Sequence, residues 1–345
     1  MNIDWKSFLI ENGAQFTNEQ LSSFGNTESK TQDLVLSDLS DKGLISVSGE
    51  DAESFLQNQL TNDIKNITEN SHQESAWCSP KGRIIANFRI FKKADAYILS
   101  FSHDLIEQII KKLRMYVMMS KVTIEDVTDS IVHFGLAGEN TEKLLQDMLD
   151  LPAKTGDTVQ YKGLSFLRIE GVIPRYEIFG DLNDAKELWA SVYEKGQKQG
   201  MCALTTHKYW LYQDILAGLP YITKASSEAW IPQMVNYVAI GGVDFKKGCY
   251  PGQEVVARLN YLGKTKRRMY HLSLQTDILP NVDETLSSDN DKDAGKILNA
   301  AINPDGIVEA LAIIKIAEAD STLWLENIES ATVTILDLPY AVEDE

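Results

Sequence analysis

The chain has little of what builds a cysteine framework or a metal centre. Its 345 residues include three cysteines, Cys78, Cys202 and Cys249, an odd number at long spacings with no Cys-x-x-Cys pair. That pattern excludes a disulfide scaffold and a closed zinc site, and it fits reduced thiols in the cytosol. The histidines His72, His103, His133, His207 and His271 do not cluster at ligand spacings, so no metal site is indicated. A spanning helix needs ~20 consecutive apolar residues. The uncharged mid-chain stretch Ala229 to Val243 falls short of that and is broken by Pro232, Gln233 and Asn236. Residues 1–16 carry Asp4 and Glu11 without a long apolar core, unlike a secretory signal. The expectation is a cytoplasmic protein with no membrane segment.

Positive charge is also scarce. Lys and Arg number 33 against 50 Asp and Glu, a formal net charge of −17. Such a surface repels a phosphate backbone, so direct binding of duplex nucleic acid is not expected. The one basic run is Lys264, Lys266, Arg267 and Arg268. It reads as a solvated linker or as a face for an anionic tail or partner. Met115, Met118 and Met119 read as core filling rather than a metal box.

What is present is ample apolar material, 43% of residues, with 24% charged, the composition of a folded chain of two or three domains. A short amphipathic helix is expected around Trp5 to Ile10, in an otherwise polar stretch to residue 40. Leu44 to Ser48 alternates like a strand, and Asp51 to Leu60 follows as a helix with Phe55, Leu56 and Leu60 on one face. Gly49-Glu50 to Leu60 is echoed by Gly138-Glu139 to Leu149, each after an apolar strand, which suggests two related lobes. Residues 84–91, 96–101 and 121–127 read as strands, and Leu105 to Leu113 and Glu187 to Gly200 as helices. This alternation indicates an α+β layer with ferredoxin-like elements. After residue 266 the texture changes to short alternating strands with a hairpin turn at Asn303-Pro304-Asp305-Gly306, expected to form a β-barrel. Ser287 to Asp293 reads as a loop between them.

The segment richest in chemistry is Gly241 to Arg258. Lys246 and Lys247 precede Cys249, glycines stand at 241, 242, 248 and 252, and a helix is expected from Gln253, with Glu254 and Arg258 paired at i,i+4. Two ammonium groups and a nearby helix N-terminus both favour thiolate over thiol, so Cys249 is the candidate reactive residue, with Lys247 beside it. Cys78 and Cys202 lack such neighbours and read as structural.

Phe245-Lys246-Lys247-Gly248-Cys249-Tyr250-Pro251-Gly252-Gln253-Glu254, followed by Val256-Ala257-Arg258, resembles the signature of the YgfZ proteins, which belong to a folate-binding superfamily that includes the aminomethyltransferase of glycine cleavage. Leu60 to Ile64, Cys78 to Arg83 with Asn87 and Arg89, Ala217 to Pro220, Ile231 to Asn236 and Leu338-Pro339-Tyr340 fit the same pattern. The likeness runs from about residue 35 to the end.

The resemblance implies two interleaved α+β lobes in residues 1–265 and an antiparallel β-barrel in 266–345, arranged around a central channel for tetrahydrofolate or a one-carbon derivative. It implies a pterin contact at Trp210, an aromatic face suited to such a ring, with Asn62, Asn87 and Tyr116 as further folate candidates. A second tryptophan of the family falls near Lys42 here. The resemblance also implies service to iron–sulfur proteins such as a tRNA methylthiotransferase, and through them tRNA modification, with Cys249 as the working thiol. The alternative is a folate-dependent one-carbon transferase or demethylase. Against it, the acidic pair of the aminomethyltransferases is replaced by Ala86 and Asn87, and the pterin-binding glutamate by Leu216. A positioned carboxylate is worth roughly 10²–10⁴ in rate.

Overall fold

The computed structural model describes residues 1–25, 33–328 and 332–342. The chain divides into two compact units, each assembled from separate segments. One comprises Met1–Ala52, Asn66–Gln73 and Ile90–Trp210, the other Glu53–Lys65, Glu74–Arg89 and Leu211–Glu345.

In the first unit, α1 (Ile3–Glu11) is capped by the Asn2 side chain, which accepts from the amides of Asp4 and Trp5. A small hairpin follows, β1 (Gln15–Thr17) and β2 (Gln20–Ser23), in a stretch whose polar composition hid it. The main sheet uses β3 (Leu34–Asp38), β9 (Val132–Ala137), β10 (Thr158–Tyr161), β11 (Leu164–Ile169), β12 (Arg175–Gly180) and β13 (Cys202–Thr205) in the order β10-β11-β12-β9-β3-β13. Only the β3–β13 pair is parallel. Helix α5 (Leu182–Lys198) lays Leu188, Trp189 and Val192 into the same core as Trp5, Leu36 and Phe134. It starts five residues before the predicted Glu187. Strand β4 (Lys42–Ser48) pairs antiparallel with β7 (Ala96–Ser102) and β8 (Thr123–Asp126), and α3 (Ile106–Val117) runs from β7 toward β8.

The echo in sequence is an echo in structure. Each copy is a strand, a glycine of positive φ and a short helix: β4, Gly49 (φ 112°) and α2 (Ala52–Gln57); then β9, Gly138 (φ 128°) and α4 (Thr141–Leu145). A side chain at Gly49 would meet the Lys121 carbonyl oxygen at 2.2 Å, so only glycine turns the chain there. The methionines at the end of α3 and just after it correct an expectation. Met115, Met118 and Met119 lie on the surface rather than in the core, because α3 turns only Ile106, Ile109 and Leu113 inward.

In the second unit, β14 (Arg267–Leu274), β15 (Thr285–Ser288), β16 (Gly295–Ile302), β17 (Val308–Lys315), β18 (Leu323–Leu325) and β19 (Val333–Leu336) form a curled antiparallel half-barrel in the order β18-β15-β16-β17-β14-β19. Leu272, Ile297, Ala310 and Leu325 fill its inner face. The predicted turn joins β16 to β17, with Gly306 at φ 84° donating to the Asn303 carbonyl at 3.0 Å. Ser287 and Ser288, expected in a loop, are strand residues. Their hydroxyls bond Glu326 at 3.0 Å and Glu318 at 2.6 Å, which satisfies polar groups that an alternation pattern scores as loop.

Strands β5 (His72–Cys78) and β6 (Ile84–Lys93) carry the chain from one unit into the other. Among the described residues no helix is long and apolar enough to cross a membrane.

Candidate functional site: an exposed cysteine on a pinned loop

Cys249 is exposed, whereas Cys78 and Cys202 are buried. Burial pushes the thiols of Cys78 and Cys202 each up to about 12, which leaves both protonated and unreactive near neutral pH.

The loop that presents Cys249 is fixed from below. The Lys247 side chain points inward, and its ammonium donates to the main-chain oxygen of Gln57 at 2.5 Å and to that of Leu60. Burial pushes the Lys247 ammonium down to about 8, against Asp63 and Asp244, which pull it up. The same ammonium lies 5.2 Å from the centre of the Tyr250 ring, which is itself buried. Of the two lysines expected beside the thiol, Lys247 is thus spent on carbonyls near the end of α2, and Lys246 stays exposed.

Upstream, Thr61 and Asn62 hold residues 241–244. Thr61 Oγ1 donates to the Gly242 carbonyl at 2.7 Å and accepts from the Ala76 amide at 2.8 Å. Asn62 Nδ2 donates to Glu74 O at 2.9 Å and Gly241 O at 2.7 Å. Downstream, α7 (Gln253–Leu262) begins where expected, behind Gly252 at φ 81°. A side chain at 252 would meet the Ser79 carbonyl oxygen at 2.3 Å, so the Cys78 to Arg83 turn and the start of α7 touch through bare backbone. Gly248, by contrast, has open space around its missing side chain. Gln253 is partly buried, and Glu254 and Arg258 are exposed on α7.

The residues expected to meet folate occupy different settings. Asn87 is buried, and both ends of its amide are used: Nδ2 donates to Pro220 O at 2.8 Å and Oδ1 accepts from the Ile222 amide at 3.0 Å. Trp210, in α6 (His207–Leu216), is 1% exposed. A side chain at Gly135 would meet its indole at 2.4 Å, and the Arg175 guanidinium lies 5.2 Å from the ring centre. Its Nε1 donates to Glu177 Oε1 at 3.1 Å. Tyr116 is 47% exposed on α3. The polar atoms of Asn62, Asn87 and Trp210 thus all take part in hydrogen bonds within the chain.

Glu177 itself was not legible in the sequence. Its carboxylate, fully buried on β12, accepts from Lys42 Nζ at 2.8 Å and lies 3.4 Å from His133 Nε2. Burial pulls the His133 imidazole below its ordinary value, although Glu177 opposes this. The partners come from β4, β9, β12 and α6, and no local spacing links them.

Comparison with known proteins assigns a class to this architecture. A family model described as the GCVT N-terminal domain matches residues 10–208. The glycine cleavage system aminomethyltransferase T from Bartonella henselae superposes with a TM-score of 0.72 over 98% of this chain and 97% of that one; at 14% identity the likeness is one of fold. The class is therefore that of aminomethyltransferase-like α+β proteins. Within it, the protein named tRNA-modifying protein YgfZ from Escherichia coli (strain SE11) is 32% identical over 322 residues, 92% of this chain and 97% of that protein. Its namesake from Photorhabdus laumondii is 32% identical over 323 residues, again 92% of this chain. The chain belongs to the YgfZ family.

Proposed function

We propose that this chain is a tetrahydrofolate-binding accessory protein that supports the assembly or repair of iron–sulfur enzymes and, through them, the methylthiolation of tRNA, acting through Cys249. The observation that carries this reading is the contrast among the three thiols. Two are buried and held protonated, and the third stands exposed on a loop held by the inward Lys247, the buried Tyr250 and the close approach of Gly252. A loop pinned in this way presents a side chain at low entropic cost, as a site for exchange with a partner requires. The names of the relatives supply the tRNA-modifying part of the reading. The proposal takes residues 1–265 as interleaved lobes enclosing a folate channel, residues 266–345 as a barrel, and the cytoplasm as the place of action. Trp210, Asn62, Asn87 and Tyr116 are channel-wall residues in it.

An aminomethyltransferase reading is not favoured. Asn87 stands where that chemistry needs a carboxylate, and its amide is bound at both ends to main chain.

Two measurements test the proposal. Titration calorimetry with tetrahydrofolate is expected to show binding, and no heat at millimolar ligand removes the folate part. A Cys249→Ser variant is expected to melt like the parent and to fail in restoring methylthiolated tRNA to a strain lacking the protein. Full restoration removes Cys249 from the function.

A further inference from the structure

One stretch of the second unit carries positive charge in an otherwise acidic chain. Residues 245–268 hold seven Lys and Arg against one Glu, a net charge of +6, which leaves −23 on the rest of a chain of −17. The stretch runs from the Cys249 loop through α7 to the start of β14, all within one compact unit. At its end, a cleft of about 590 Å³ is lined by Lys264, Lys266, Arg267, Arg268, Lys315 and Ile316. A basic stretch set in an acidic chain points to an anionic partner.

Part of this charge is neutralised within the fold and part is not. Arg267 is paired with Asp293 at 2.7 Å and Lys315 with Asp291 at 2.5 Å. Lys246, Lys264 and Lys266 are exposed and form no ion pair among the described residues. Arg258 is exposed on α7.

An aromatic ring stands among these cations. Tyr261 is 66% exposed, and its ring meets that of Phe245 at 5.8 Å and 65°, an edge-on contact that orients it. Phe245 adjoins Lys246 in the chain. Arg258 lies three residues before Tyr261 on α7, which puts the two on the same side of the helix. Lys264 follows Tyr261 by three residues, at most ~11 Å of extended chain. Lys246, Arg258 and Lys264 therefore border a large ring that is left mostly in water.

We infer that this surface binds single-stranded nucleic acid, with a base stacked at Tyr261 and the neighbouring phosphates at Lys246, Lys264 and Lys266. A single strand joins an open ring face to closely spaced negative charge, the combination this surface matches. A duplex keeps its bases stacked on one another. As an extended polyanion it also faces the −23 of the remaining chain. A short strand stays within about a Debye length, ~10 Å at 0.1 M salt, of the local cations. Polyglutamate matches the charge and lacks the ring. Phe245 and Lys246 belong to the loop that presents Cys249, so the proposed function gains a direct nucleic-acid contact at that loop. The contact does not rest on the chemistry of the thiol.

The test is fluorescence anisotropy of a labelled decauridylate titrated with the full chain at low salt. Binding is expected, and it should weaken as salt rises, because each phosphate contact releases counterions. Unlabelled oligothymidylate tells the two sources of strand apart: competition by it marks the shared backbone and bases, and its failure to compete marks RNA. A short duplex, polyphosphate and polyglutamate are each expected to bind ~10-fold more weakly or worse. Tyr261→Ala and Lys264→Glu/Lys266→Glu change only exposed side chains and should melt like the parent. Each is expected to lose ~10-fold or more in affinity. Cys249→Ser should bind like the parent, so a failure of the thiol reading and a failure of this one appear in different variants. Three results overturn the proposal: no binding at ~100 µM protein, the weak end of non-specific affinities; duplex, polyphosphate or polyglutamate binding as tightly as the single strand; or Tyr261→Ala binding undiminished. If a variant does not fold, the ligand series on the parent protein still decides the matter.

Discussion

The ammonium of Lys247 is bound to the main-chain oxygen of Gln57, 2.5 Å away, and this joins the cysteine loop to the last residue of α2. Its second acceptor is the Leu60 carbonyl. Lys247→Met therefore leaves two carbonyls without their donor, and stability is expected to fall by ~1–3 kcal/mol. Urea unfolding of parent and variant measures it, and an unchanged midpoint refutes the anchoring role.

The thiols are expected to react unequally. Iodoacetamide near neutral pH should add one label to the native protein and three after denaturation, read by intact mass. Cys78 and Cys202 are shielded and protonated, their thiols pushed up to about 12. Cys249→Ser should take no label while folded. Labelling of either buried thiol at a comparable rate contradicts the assignment.

The glycines of the loop are expected to separate sharply. Gly252→Ala forces a side chain into φ 81° and against the Ser79 carbonyl oxygen. The expected cost is ~1–3 kcal/mol or more. Gly248→Ala meets nothing within 4 Å and should lie within ~0.5 kcal/mol of the parent. Thermal melts of the two variants check the contrast. Equal losses would show that backbone freedom rather than close approach governs both.

Glu177 and Lys42 should behave as a coupled pair. Glu177→Leu removes the buried carboxylate that accepts from the Lys42 ammonium and the Trp210 indole N–H, and a loss of ~3–5 kcal/mol is expected. The double variant Lys42→Met/Glu177→Leu should recover much of that loss. A double-mutant cycle on unfolding free energies gives the coupling, and simple additivity would deny it.

Asp38 sets a pH dependence. Burial pushes its carboxyl up to about 6 from 3.8, against the bonds from Trp5 and Ser40 that pull it down. A carboxyl raised in the folded state contributes stability that is fully present below about pH 4 and lost as pH rises through about 6. Asp38→Asn keeps an acceptor for the Trp5 indole N–H, which lies 2.8 Å away. The variant is expected to flatten stability across that window and to gain ~1–3 kcal/mol at pH 7. Chemical unfolding at several pH values measures both, and a parallel pH profile in the variant would exclude Asp38 as the source.

Much of the fold follows from local pattern. The alternation of Leu44 to Ser48, the helical spacing of Leu105 to Leu113 and the Asn303 to Gly306 turn each became the predicted element, because side-chain period and turn chemistry act over a few residues. Some misses were places where polar groups were satisfied at a distance, and others, such as Met115, Met118 and Met119, were apolar side chains that α3 turns outward. Ser287 and Ser288 are strand residues by virtue of Glu326 and Glu318, some thirty or more positions away.

The sequence by itself determined the composition that excludes a cysteine scaffold, the doubled strand–glycine–helix unit, the antiparallel C-terminal sheet and the motif around Cys249, since each is written in neighbouring residues. Only the tertiary structure decided what the side chains of that motif do. Lys246 and Lys247 are adjacent in sequence, yet one stays in water and the other turns beneath the loop to meet Gln57, 190 positions away. Lys42 meets Glu177 across 135 positions, and Asn87 closes on Pro220 and Ile222. Such pairings depend on sheet register and helix placement, which are fixed when buried polar groups find partners during folding, and no local periodicity encodes them.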